Sequence, residues 1–324
     1  MALAGFDPKW KDFPDYIIGI TKEIWEGRDI GSLRHYYADD IVVRMPGGIS
    51  RGNETVIAGT LATLSEFPDR TLLADDVVWC GEPVSGMLSS HRISCTATHS
   101  MSGVFGPATE RKLAFRAIAD CHARNNTIDD EWLARDQGAI CRQLGIEPEE
   151  FARMQIEREG GVQSAAAPYT PERDVAGPYR GRGNDDAWGK RYADLLRSLM
   201  SADVAVIARE YDRACHLAYP DGVDARSHRP AESFWMRLRA ALPSAEFTIE
   251  HQIGREDPLL GPRAAIRWGL RGKHDGWGAF GAPSGADIYV MGFSHADFGP
   301  RGLRRETVVF DTTAIWKQIL LHKG

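Results

Sequence analysis

A chain of 324 residues is longer than a single hydrophobic core usually serves, so two domains of roughly 150 residues each are expected. With 43% hydrophobic and 26% charged residues, the composition excludes the disordered and fibrous classes. A formal charge of -6 argues against nucleic acid as a partner, because binding along phosphates normally needs a basic stripe.

In chain order, Phe13 to Tyr37 reads as helix, with apolar Ile17, Ile20, Ile24 and Trp25 near helical spacing and a break at Gly27. Asn53 to Leu64 reads as a second helix. The rest looks extended, in five runs: Ile41–Met45, Leu72–Trp79, Leu88–Thr98, Lys112–Cys121 and Ile128–Ala134, rich in β-branched and aromatic residues between Gly, Pro and Asn turns. Gly160 to Gly183, with its Ala-Ala-Ala-Pro and Gly-Arg-Gly runs, breaks both periodicities and reads as a linker. After it the order repeats, with helices over Ala187–Ala218 and Ala231–Ala241 and strands from Phe247 to Ile315. Helices before a run of strands predict an α+β class with a mainly antiparallel sheet, not alternating βαβ units.

The sequence also matches itself. At an offset of 175 residues Arg92 meets Arg267, His99 meets His274, Phe105-Gly106 meets Phe280-Gly281, Glu131 meets Glu306, Asp136 meets Asp311 and Gln143 meets Gln318. Upstream, an offset of 174 or 175 pairs Tyr37 with Tyr211, Pro46 with Pro220 and Pro68 with Pro243. So long a period means duplicated domains rather than a solenoid. The expected organisation is a first domain over 1–159, a linker over 160–183 and a second domain over 184–324.

Cys80, Cys95, Cys121, Cys141 and Cys215 are odd in number and lack CxxC spacing, which suggests neither a disulfide framework nor a zinc knuckle. The first residues carry no basic start before an apolar run, and no stretch reaches the ~18 apolar residues of a membrane span, so a cytoplasmic protein with no membrane partner is expected.

Side chains two apart on a strand share a face. If the face of Arg116, Ile118, Asp120 and His122 lines the concave side of the sheet, and Trp132 and Asp136 of the neighbouring strand point the same way, then Asp120, His122 and Asp136 meet in one pocket. The second half offers His295, Asp297 and Asp311, with histidine and aspartate exchanged relative to Asp120 and His122. An imidazole beside a carboxylate in an apolar hollow suits proton transfer, because burial and pairing move pKa values toward neutrality. Neither half offers two histidines and a carboxylate on facing strands, so no metal ligand set is expected. His91 shares the face of Ile93 and Cys95 and reads as core.

The runs Val104–Lys112, Phe115–His122, Ile128–Asp136 and Arg142–Gly145 resemble the C-terminal half of SnoaL-like polyketide cyclases, of the nuclear-transport-factor-2-like superfamily. The second half matches less closely, with Thr307 in place of Trp132. The resemblance implies two cone-shaped α+β-barrel domains, each with N-terminal helices on a curved sheet and a pocket for a small molecule. It also implies a cofactor-independent enzyme in which Asp136 is the acid/base of an aldol-type cyclisation, isomerisation or dehydration and His122 lines the pocket; on the strand-face reading Asp120 assists with His122, and Trp132 and Arg116 line the pocket. Asp120 departs from the neutral amide of the family's best-known cyclases. The alternatives are a hydrolase or lyase acting through an activated water, as in epoxide hydrolysis, and a non-catalytic binding module. Because single-domain relatives pair through their sheets, the halves are expected to form an internal pseudo-dimer, with further self-association open.

Overall fold

The computed structural model describes residues 3–324. In the first half α1 (Phe13–Thr21) opens under an Asp12 cap that accepts from the Asp15 amide, and continues as a π-helical turn, Lys22–Glu26. A 3-10 turn at Ile30–Ser32 and α2 (Leu33–Tyr36) lead into β1 (Tyr37–Met45), β2 (Gly48–Arg51), α3 (Asn53–Glu66), β3 (Thr71–Glu82), β4 (Gly86–Thr98), β5 (Lys112–Arg124) and β6 (Thr127–Arg135). Then come α4 (Gln137–Leu144) and α5 (Pro148–Arg158). The second half has α6 (Ala187–Met200), α7 (Val206–Glu210), β7 (Tyr211–Tyr219), β8 (Val223–Arg226), α8 (His228–Ala241), β9 (Glu246–Arg255), β10 (Arg263–Lys273), β11 (Asp287–Gly299), β12 (Gly302–Val309) and α9 (Thr312–Lys323).

The helices expected over Phe13–Tyr37 and Ala187–Ala218 are therefore each shorter, because Tyr37 and Tyr211 begin strands that pair with β6 and β12. The helices α4, α5 and α9 close the halves beyond the strands where no separate helix was expected.

Each half builds one six-stranded sheet, ordered β2-β1-β6-β5-β4-β3 and β8-β7-β12-β11-β10-β9. Among the described strands only β1 with β6 and β7 with β12 run parallel. The sheets are open: β2 and β3 stand at the two edges of the first, β8 and β9 at those of the second, so the expected barrels do not close. The β5–β6 hairpin turns on Asn125 and Asn126, both left-handed at φ 50° and 64°, a conformation that asparagine tolerates and that matches the twist of the strands.

Each sheet is covered on both faces. One face packs on the helices of its own half. The other faces lie against each other, joined by an apolar cluster that includes Ile118, Trp132 and Ala134 of the first sheet and Ile253, Met291 and Phe293 of the second. Charged pairs cross this junction: Arg267 to Asp120 at 2.6 Å, Arg92 to Asp297 through both oxygens at 3.3 and 3.4 Å, and Arg263 to Asp76. Arg92 and Arg267 are equivalent in the repeat, and each meets an aspartate of the opposite sheet. The exchanged order of Asp120-His122 and His295-Asp297 thus places an acid before each arginine.

The segment between α5 and α6 is tied to both sheets. The Tyr169 amide donates to the Pro46 carbonyl, Asp174 pairs with Arg44 at 2.5 Å, the Tyr179 amide donates to Asp130, and Gly183 bridges to Gln252. No helix among the described residues is long and apolar enough to cross a membrane.

Candidate functional site

The first half encloses a cavity of about 320 Å³ between its sheet and helices. Its floor consists of alternate residues: His91, Ile93 and Cys95 from β4, Ala117, Ala119 and Cys121 from β5, and Glu131, Leu133 and Arg135 from β6. Tyr37 and Val43 of β1, Thr60 and Thr63 of α3, and Arg70 and Leu72 complete the wall. Trp25 reaches it from the π-helical turn.

The parity is the reverse of the sequence expectation. Asp120, His122 and Asp136 lie on the opposite face and do not meet in one pocket. Asp120 is buried against Arg267, and burial pushes its carboxyl above the usual range while Arg267 opposes the shift. His122 bonds through Nδ1 to Asp129 at 2.5 Å and lies 4.8 Å, ring to ring, from Tyr179. Asp136 is the N-cap of α4, accepting from the amide of Ala139 at 3.0 Å, and it reaches into the second half to accept from those of Asp221 and Gly222 at 2.9 and 3.0 Å. Burial raises its carboxyl to about 7 against the pull of these three donors.

The residues expected to line the pocket lie elsewhere too. Trp132 is sandwiched between guanidiniums, Arg267 at 3.9 Å and Arg44 at 4.3 Å from its ring. Arg116 reaches the β7–β8 hairpin, pairing with Asp224 at 3.1 Å. His295 bonds to Ser90 at 2.8 Å, and Asp297 receives Arg92. Asp311 caps α9 through Thr313 and borders a separate cleft with Arg135, Gln137 and Lys317. These groups hold the halves together or start helices.

The roles assigned to Asp136 predict different outcomes for Asp136→Asn. As a cap and inter-half acceptor, its loss lowers stability by roughly 1–3 kcal/mol in a denaturant titration at pH 4, below the range where ionisation of the buried carboxyl costs the parent stability, while turnover per folded molecule persists. A variant as stable as the parent but inactive would return Asp136 to the chemistry.

What the cavity does hold is Glu131. It is buried, and burial raises its carboxyl to about 7, with the Tyr37 hydroxyl working in the opposite direction. Cys121 is its cross-strand neighbour on β5. His91, one row along the floor, has a pKa pulled down to about 4 by burial alone, and its Nε2 has no hydrogen-bond partner. It is a neutral imidazole at neutral pH.

The second half has the same frame and a filled interior. Glu306, the repeat mate of Glu131, receives the hydroxyls of Tyr192, Tyr211 and Tyr219 at 2.9, 2.8 and 2.5 Å and the indole N–H of Trp235 at 3.3 Å. Of these donors only Tyr211 has a counterpart beside Glu131, namely Tyr37. At the 175-residue offset Trp235 stands for Thr60, Trp268 for Ile93, Ile266 for His91, Ala245 for Arg70 and Phe310 for Arg135. Trp235 and Trp268 are fully buried and pack with Phe310 and Phe247. Bulk thus occupies the place of the first half's cavity.

The signal that could have found the site was the Glu131–Glu306 match itself, together with the divergence around it. Among the described residues no group of three or more His, Cys, Asp or Glu is placed to hold a metal ion.

Residues 16–144 match the family of SnoaL-like polyketide cyclases. Similar solved structures include IdmH of Streptomyces antibioticus, a candidate polyketide cyclase, at 27% identity over 41% of this chain and 98% of its own, with a TM-score of 0.37. AclR of Streptomyces galilaeus, a candidate hydroxylase, aligns at 16% identity over 41% and 94%, with a TM-score of 0.36. A SnoaL-like polyketide cyclase of Agrobacterium tumefaciens aligns at 17% over 41% and 97%, with a TM-score of 0.33. No curated protein matches significantly. The match to the SnoaL-like polyketide cyclase family thus covers residues 16–144, inside the first half, and the second half repeats the strand order of the first in tandem.

Proposed function

We propose that the first domain catalyses cofactor-independent acid/base chemistry on a small carbonyl compound, an aldol-type cyclisation or related isomerisation, with Glu131 as the base and acid. The contrast between Glu131 and Glu306 carries this reading: one acid is satisfied by four fixed donors, the other faces a cavity with a single tyrosine beside it. A carboxyl near 7 suits the task, since it can both take and return a proton at neutral pH.

In this scheme the Glu131 carboxylate removes a proton from the carbon next to a carbonyl, and the electron pair moves onto the carbonyl oxygen. The N–H of neutral His91 or the Tyr37 hydroxyl donates to that developing oxyanion. The enolate carbon then attacks a second carbonyl of the same molecule, and protonated Glu131 gives its proton to the new alkoxide. Leu133, Ile93 and Val43 keep bulk water from the intermediate.

The test is deuterium exchange at the activated carbon of 2-tetralone in D₂O, followed by NMR. The rate per enzyme is expected to rise with pH through about 7 and level above it, following ionisation of Glu131. No exchange above buffer would sink the proposal and leave a binding role for the cavity.

A further inference from the structure

The same cavity carries two guanidiniums that have no carboxylate ion-pair partner among the described residues. Arg70 lies between α3 and β3, is 4% exposed, and has an Nε without a hydrogen-bond partner. Arg135 ends β6, one row beyond Leu133 on the cavity floor. Among the described residues no carboxylate oxygen lies within 4.0 Å of either guanidinium. Asp311 lines a separate cleft together with Arg135, and its charge favours the ionised guanidinium there without an ion pair within 4.0 Å.

A buried charge without a partner costs stability, and the second half, which has no such cavity, has Ala245 and Phe310 at these places. Burial and the like charge of Arg135 already pull Arg70 down to about 10. Whatever occupies this end of the cavity would relieve both groups if it brought a negative charge, and a guanidinium fork matches a carboxylate in shape.

We propose that Arg70 and Arg135 form the anion-binding end of the cavity, holding the carboxylate of an organic acid whose carbonyl-bearing part extends toward Glu131. The proposal rests on the reading of Glu131 above for the identity of the far end. Arg135 and Glu131 are four residues apart on one strand, about 13 Å between their Cα atoms at the usual rise, with the row of Leu133, Ala119 and His91 between them and Ile93 in the row of Arg135. That span suits an elongated acid with an apolar body, and not a short 2-oxo acid.

The experiment compares 2-naphthoate with its neutral isostere 2-naphthamide by titration calorimetry on the full chain. The parent is expected to bind naphthoate at least tenfold tighter than naphthamide. Arg70→Gln removes that preference, Arg135→Gln weakens it, and Arg70→Lys, which keeps the charge but not the fork, retains part of it. Arg70→Gln is also expected to raise the thermal midpoint, whereas a merely structural arginine would lower it. Equal affinities in the parent, no binding of either probe, or full preference in a folded Arg70→Gln would overturn the proposal; were that variant to unfold, the Arg135→Gln and Arg70→Lys titrations decide. Glu131→Gln leaves the preference in place, so the two readings separate: exchange of 2-tetralone without anion preference removes only the anion site, and preference without exchange removes only the chemistry.

Discussion

Glu131→Gln is expected to slow proton exchange of 2-tetralone by roughly 10²–10⁴-fold at pH 8, the usual contribution of a positioned acid/base group, while making the protein more stable at that pH. The two effects have one cause. Burial raises the Glu131 carboxyl from an ordinary 4.5 to about 7, so the folded state holds a proton that the unfolded chain has released. Its contribution to stability is complete below about 4.5 and is lost as pH rises through about 7. At pH 8 the wild type therefore carries a penalty of roughly 3 kcal/mol for ionising this group in its apolar setting, which a neutral glutamine of similar shape avoids.

Urea titrations at pH 4 and pH 8 check this directly. The variant and parent should agree at the lower pH and diverge at the higher one. The raised carboxyls of Asp136 and Asp311 are common to both proteins and cancel in the difference. Unchanged exchange in a folded Glu131→Gln would remove Glu131 from the mechanism. Equal stability at both pH values would show instead that its carboxyl is not shifted.

The second large effect belongs to the junction between the sheets. Asp120→Ala leaves Arg267 buried with only the Trp132 ring at 3.9 Å and a Glu250 oxygen at 3.5 Å to offset its charge, and is expected to cost about 3–5 kcal/mol of stability. Replacing both members, Asp120→Leu with Arg267→Met, should recover most of that loss, because two desolvated charges leave together and apolar contacts take their place. The double-mutant cycle measures the coupling. Exchange of 2-tetralone by the folded fraction should be unaffected in each variant, since Asp120 points away from the cavity. A stable Asp120→Ala without activity would contradict this assignment.

Alternation along β5 does not reveal which of its faces lines the cavity, for a physical reason. In a sheet covered on one side, apolar and polar residues alternate and parity can be read from the pattern. Along β5 every residue from Ala117 to Ala123 is buried, because one set faces the helices and cavity and the other faces the second sheet. Polar side chains that look like a catalytic cluster, Asp120 and His122 among them, can then be junction pairs. His91, which reads as core, is the imidazole that faces the cavity. The offset of 175 residues carried more information than the polar residues did: Glu131 recurs as Glu306 while His91, Arg70 and Arg135 become Ile266, Ala245 and Phe310.

By itself the sequence determined the α+β class, the duplication and most strand positions, since these follow from local periodicity, turn residues and self-similarity, all of which are linear properties of the chain. Only the tertiary structure decided which face of each strand meets the helices and which meets the other sheet. It also decided that one half keeps a cavity while Trp235 and Trp268 fill the other, and that Asp136 and Asp311 cap helices. Those outcomes depend on which surfaces pack together, and a one-residue change of parity, invisible to composition, reverses every side chain on a strand.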